Sequence, residues 1–287
     1  MKKWLSKKWV FYTLITFFAL IFLVSSFFLI RYLRESKKSA DLYGELAQQV
    51  RQDQTTAPAS LPEPPPASHG TEPTQPPAPT EPPLVQAINS DTGETVSVLP
   101  EYKEIFQRNS HTVGWIRIPD TQVDYPVVQN KAKINYYLHR DFDREPNRHG
   151  CIYAGEAFDL NKPSDQVVLY GHWMRDRSMF GSLQFYKDPA YYEAHPLIRF
   201  DTLTEHHTYE IFCVFRTTAT VGEGFRYNQL VDAADQEEFD EFIRTCHGLE
   251  MYSTGKTARY GDKLLTLSTC EYSQPNGRLV VVAKRIS

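Results

Sequence analysis

Only four cysteines occur in 287 residues, Cys151, Cys213, Cys246 and Cys270, and no two are spaced as C-x-x-C. Wide spacing argues against a structural zinc site, and a domain of this size can hold its core without disulfide staples. Whether one bridge joins a pair among Cys151, Cys213 and Cys246 is left open. Beyond residue 40 negative charge outweighs positive. The first forty residues carry eight Lys/Arg against one Glu, a net of +7, so a whole-chain charge of -4 leaves -11 for the rest. Phosphate binding needs clustered cations, so a nucleic-acid partner is not expected. No internal repeat is present.

Charge is absent altogether from Trp9 to Ile30, a run rich in Phe, Leu, Ile and Val. About 20 such residues span the hydrocarbon core of a bilayer as a helix. Lys2, Lys3, Lys7 and Lys8 precede the run, and Trp4 and Trp9 stand where amphipathic aromatics meet headgroups. The run ends Phe-Leu-Ile-Arg-Tyr-Leu-Arg, without the small residues of a signal-peptide cleavage site. An uncleaved transmembrane anchor at 9–30 is expected, after a cytoplasmic stub at 1–8. Arg31, Arg34, Lys37 and Lys38 follow the run, so flanking charge does not decide its orientation.

Asp41 to Gln54 reads as a short polar helix. Thr55 to Pro83 is dense in Pro, Thr, Ala and Glu, which favours extended polyproline II and a semi-rigid spacer. Residues 31–99 are therefore expected to hold a domain clear of the membrane, within reach of a cell wall. The domain itself is expected at 100–287. Apolar alternation places strands at Val113–Pro119, Gln122–Gln129, 150–154, 166–171, 196–201, 207–216, Lys263–Cys270 and Arg278–Ile286. Helical patterns fall at Glu101–Asn109, Met179–Ala194 and Ala233–Cys246, with Phe239, Phe242 and Ile243 on one face of the last. Many short strands with small helices between them indicate a mostly antiparallel β-barrel or sandwich.

Two strand ends carry chemistry. Leu264 to Cys270 alternates and ends on a thiol, and Arg278 opens the next strand after a turn. A guanidinium beside a cysteine favours thiolate and offers donors to a developing oxyanion. A buried structural cysteine beside a solvent-facing arginine would give the same pattern. Val167-Val168-Leu169-Tyr170-Gly171 delivers His172 to a similar position, where an imidazole suits proton transfer to a leaving amine. Most of the nine histidines need no such role; His111 and His206-His207 read as surface. His149-Gly150-Cys151 superficially resembles the H-G-C segment of L,D-transpeptidases. That family's Ser before the His and Arg after the Cys are missing, and Cys151 reads as the start of a strand. Cys213, inside Ile211-Phe212-Cys213-Val214-Phe215, reads as core.

Taken together, T-L-S-T-C at 266–270, N-G-R-L-V-V-V-A-K from Asn276, L-Y-G-H at 169–172 and M-F-G-S-L at 179–183 resemble the sortases. V-G-W-I-R-I-P and V-D-Y-P-V-V-Q within 113–129, Y-Y-L at 136–138 and the helix near 233–247 are similar to class B in particular. The resemblance covers about residues 100–287. It implies a closed eight-stranded β-barrel with peripheral helices, on which Cys270, His172 and Arg278 converge. Cys270 would attack the carbonyl of Thr in an N-P-x-T-like sorting motif of a secreted protein. His172 would protonate the departing nitrogen. Arg278 would hold the substrate backbone or the oxyanion, with the backbone N–H of Glu271 as a second donor. An amino group of a peptidoglycan precursor would then resolve the thioester. Ser268, Glu271 and Leu138 would line the substrate groove. No cofactor or metal is implied. Two other readings stand beside this one: a pilin-polymerising sortase, and a non-catalytic domain tethered to the membrane.

Overall fold

A computed structural model describes residues 2–56, 83–160, 162 and 164–287. The Pro-rich stretch expected as a spacer falls almost wholly outside the described residues. The first helix, α1 (Lys2–Thr56), is continuous. A membrane segment at 9–30 and a separate polar helix from Asp41 were expected instead. Gly44 is the only Gly or Pro before residue 57, and the residues joining the two segments are good helix formers, so nothing breaks the ladder. The chain divides into two compact units, Met1–Leu42 and Tyr43–Ser287. In the first, the apolar side chains from Trp9 to Ile30 are exposed. Among the described residues this is the one helix long and apolar enough to cross a membrane.

The second unit opens on the end of α1. Tyr43, Leu46, Ala47 and Val50 are buried there at i, i+3, i+4 and i+7. The Tyr43 hydroxyl donates to the Gly150 carbonyl at 2.7 Å. A separate hairpin follows, β1 (Val85–Ile88) with β2 (Thr95–Val98). Next come a 3₁₀ turn at Pro100–Tyr102 and α2 (Lys103–Arg108), where one helix was expected.

The eight expected strands correspond to β3 (Thr112–Arg117), β4 (Asp124–Val128), β5 (Ile152–Ala154), β6 (Gln166–Tyr170), β7 (Leu197–Thr202), β8 (Thr208–Thr218), β9 (Leu264–Cys270) and β10 (Gly277–Arg285). Their order is β10-β8-β7-β3-β4-β5-β6-β9, and β9 also pairs with β10. The expected fold class needs a correction in its strand pairing. The structure has an eight-stranded mixed sheet, antiparallel at six of its eight pairings and parallel where β4 meets β5 and β6 meets β9. It also has a second, two-stranded sheet. Alternation in a sequence shows which face a side chain takes, not which strand lies alongside.

The β6–β9 pairing matters most for function. Parallel neighbours need a long crossover, and here it contains β7, β8 and α4 (Gln236–Leu249). Asp235 caps α4 by accepting the Glu238 N–H at 3.0 Å. Phe239, Phe242, Ile243 and Cys246 bury one face of the helix against Cys213, Phe215, Val280 and Val282 of β8 and β10. The region read as helical at Met179–Ala194 is a 3₁₀ helix at Gly181–Lys187 followed by α3 (Pro189–Ala194).

Candidate active site

The last β6–β9 pair is Tyr170 with Ser268. Both chains continue in the same direction past it, and the Gly171 N–H donates to the Ser268 carbonyl at 3.2 Å. Two residues further on stand His172 and Cys270, one at the end of each parallel strand. On its other side Cys270 pairs in register with Arg278. One residue of β9 thus has a histidine strand to one side and an arginine strand to the other. Gly171 fits beneath two side chains: a Cβ there would lie 2.5 Å from Ile152 Cδ1 and 2.8 Å from the Phe180 ring.

Cys270, His172 and Arg278 line one groove of about 530 Å³, together with Leu138, Tyr153, Tyr170, Tyr227 and Ser268. Cys270 is a free, half-buried thiol. The Arg278 Nη1 donates to the carbonyls of Asn276 and Gly277 at 3.2 and 3.0 Å. Among the described residues no partner takes its Nε or Nη2, so those donors can face a substrate. The His172 Nε2 lies 2.6 Å from the Leu138 carbonyl. A carbonyl only accepts, so Nε2 carries the proton and Nδ1 is left to exchange one. Burial lowers the His172 pKa, and the nearby His139 and His149 lower it further, while the bond to Leu138 works the other way. The imidazole of His139 stacks on that of His172, with centroids 5.5 Å apart.

Comparisons with known proteins agree with this geometry. Residues 116–286 match the family model of the sortase domain. Sortase B of Staphylococcus aureus is 32% identical over 191 residues, 66% of this chain and 76% of that protein. Sortase B of Listeria monocytogenes is 30% identical over 197 residues, covering the same shares. Among solved structures, the Staphylococcus aureus sortase B–substrate complex superposes with a TM-score of 0.68 at 25% identity, over 88% of this chain and 99% of that one. The chain belongs to the sortase B family. It is accordingly a cysteine transpeptidase.

Of the residues expected to line the sortase groove, Leu138 and Ser268 do so. The Ser268 hydroxyl is already engaged, 2.6 Å from the Tyr227 hydroxyl. Glu271 sits elsewhere. Its backbone N–H, expected as an oxyanion donor, is taken by the Gly277 carbonyl at 2.9 Å. Its buried carboxylate accepts from Lys187 Nζ at 2.7 Å, from the Ser273 N–H at 2.9 Å and from the Ser273 hydroxyl. In this structure Glu271 fixes the β9–β10 turn. Burial alone would raise its pKa, but Lys187 and Ser273 outweigh burial and hold it at about 2. Because the folded pKa is depressed, the stabilisation is full above the ordinary value of 4.5 and fades as pH falls towards about 2. Glu271→Gln should therefore cost about 2 kcal/mol near pH 7. The gap between the two proteins in urea midpoint should close at acid pH.

The sortase decoy cysteine is inert. Cys151 is buried, its thiol donates to the Arg140 carbonyl at 3.3 Å, and the Tyr43 hydroxyl lies at the same distance. Burial pushes the thiol pKa far up, the Tyr43 hydroxyl beside it opposes the rise more weakly, and Asp141 and Asp143 add to it. Cys213 and Cys246 are buried in the cluster under α4, and all four cysteines are free. Two positioning contacts carry no local sequence signal. Gln184 Nε2 donates to the Cys270 carbonyl at 3.1 Å, and the Leu138 main chain, not its side chain, orients His172.

Proposed function

We propose that this sortase cleaves an N-P-x-T-like sorting motif of secreted surface proteins after its Thr, and joins the acyl group to an amino group of a peptidoglycan precursor. The observation that carries this reading is the register around Cys270, with Arg278 opposite and His172 at the end of the adjacent parallel strand, all on one groove. Cys270 Sγ attacks the Thr carbonyl, the negative charge on oxygen draws on the free Arg278 donors, and the C–N bond breaks as the imidazolium of His172 gives its proton to the departing nitrogen. The amine then attacks the thioester, and the thiolate leaves. Residues 9–30 act as a single membrane anchor with 1–8 on the cytoplasmic side. Of the expected spacer at 31–99, Tyr43–Val50 and the β1–β2 hairpin belong to one compact unit with the catalytic domain at 100–287, which works on the cell-wall side. The long apolar helix near the N-terminus supports the anchor.

The test is a small library of fluorogenic sorting peptides, offered with and without a short amine acceptor. N-P-x-T-like peptides should be cut between Thr and the next residue, and the amine should appear in the product. Cleavage confined to other sequences, or products without the amine, would count against the assignment.

A further inference from the structure

Two exposed or half-exposed aromatic rings flank the site without lining the groove. Trp173 follows His172 directly, and Tyr272 lies two residues beyond Cys270. Their rings meet edge to face, with centroids 5.2 Å apart and an interplanar angle of 65°. Neither is among the residues around the peptide groove.

Both rings hang from fixed backbone. Trp173 bridges to Met179 across a tight loop, and the Phe180 N–H donates to the His172 carbonyl at 3.0 Å. Tyr272 is held between Glu271 and Ser273, which bond to each other. Yet Tyr272 is 71% exposed, so core packing does not account for its place. Burial raises the Tyr272 pKa, and the charge of the nearby Cys270 thiol adds to the rise. The pair thus ties the loop that carries the histidine to the turn that follows the nucleophile, and it does so beside the sulfur.

We propose that Trp173 and Tyr272 form an aromatic wall beside Cys270 that keeps water from the thioester and so directs it to the amine. This rests on Cys270 being the nucleophile. In the productive step the amine nitrogen bonds to the thioester carbon, the C–S bond breaks, and the proton lost by nitrogen returns to the thiolate, giving an amide and free thiol. Water in place of the amine gives a carboxylic acid and free thiol, a wasted turnover. Both attackers need the same carbon, so their ratio depends on how much bulk water stands near it. Two apolar ring faces lower that amount, as active-site closure does elsewhere.

The experiment uses the complete chain, a sorting peptide and a fixed concentration of a short glycine-peptide amine. It reads peptide release and the ratio of acid to amide product. Tyr272→Ala and Trp173→Ala should raise the acid-to-amide ratio about fivefold or more, while kcat/KM for peptide release stays within about threefold. Tyr272→Phe, which keeps the ring, should leave the ratio as in the parent. An unchanged ratio in both alanine variants would overturn the wall. So would a rise in Tyr272→Phe equal to that in Tyr272→Ala, which would assign the effect to the hydroxyl. Peptide release that persists in Cys270→Ala would instead overturn the nucleophile assignment beneath it.

Discussion

Cys270→Ala should lower sorting-peptide cleavage by roughly 10⁴-fold or more, because Cys270 is the one thiol that lines the groove. The competing thiols are poor substitutes for physical reasons. The nucleophile is a thiolate, and Cys151 is sealed from solvent with its pKa pushed far up. Cys213 and Cys246 lie in an apolar cluster with Phe239, Phe242 and Val282. Cys270 alone combines partial exposure, a place on the groove and a guanidinium in register. Cys151→Ala should keep turnover within about threefold of the parent wherever the protein remains folded. Circular dichroism of each variant separates loss of chemistry from loss of fold.

His172→Ala should cost roughly 10³-fold, within the range for a positioned acid–base group. The pH profile carries more information than the loss itself. The pair of Cys270 and His172 works with one proton between them, and below the lower of its two apparent pKa values both are protonated and turnover stops. Since burial lowers the His172 pKa from 6.5, the acid limb of kcat/KM should have its midpoint below 6.5. Imidazolium, the donor to the leaving nitrogen, is then the minority form at neutral pH. A midpoint clearly above 6.5 would mean that His172 is not shielded as the geometry requires. In His172→Ala the limb should disappear along with the activity.

The parts of the site carried by local pattern were legible in the sequence. Alternation along Leu264–Cys270 and the apolar run ending at His172 placed both residues at strand ends, and the turn at 271–277 brought Arg278 back beside the thiol. The relation between His172 and Cys270 was not legible. It depends on β6 and β9 being parallel neighbours, and the intervening β7, β8 and α4 leave no trace of that pairing in either strand. Main-chain contacts were equally hidden. Glu271 looked free to donate its N–H, but Gly277 closes the turn by accepting it. Leu138 looked like an apolar wall, while its carbonyl sets the tautomer of His172. At the front of the chain, polarity suggested that residues after Asp41 leave the fold. Tyr43, Leu46, Ala47 and Val50 form a narrow apolar stripe that a composition window averages away.

Between the two half-reactions the acyl group rests on a single sulfur. Intact-protein mass spectrometry after brief incubation with a sorting peptide, in the absence of amine, measures this directly. One adduct with the mass of the peptide's acyl part is expected, located on Cys270 by digestion and released by hydroxylamine. An adduct on Cys151, or one that survives in Cys270→Ala, would contradict it.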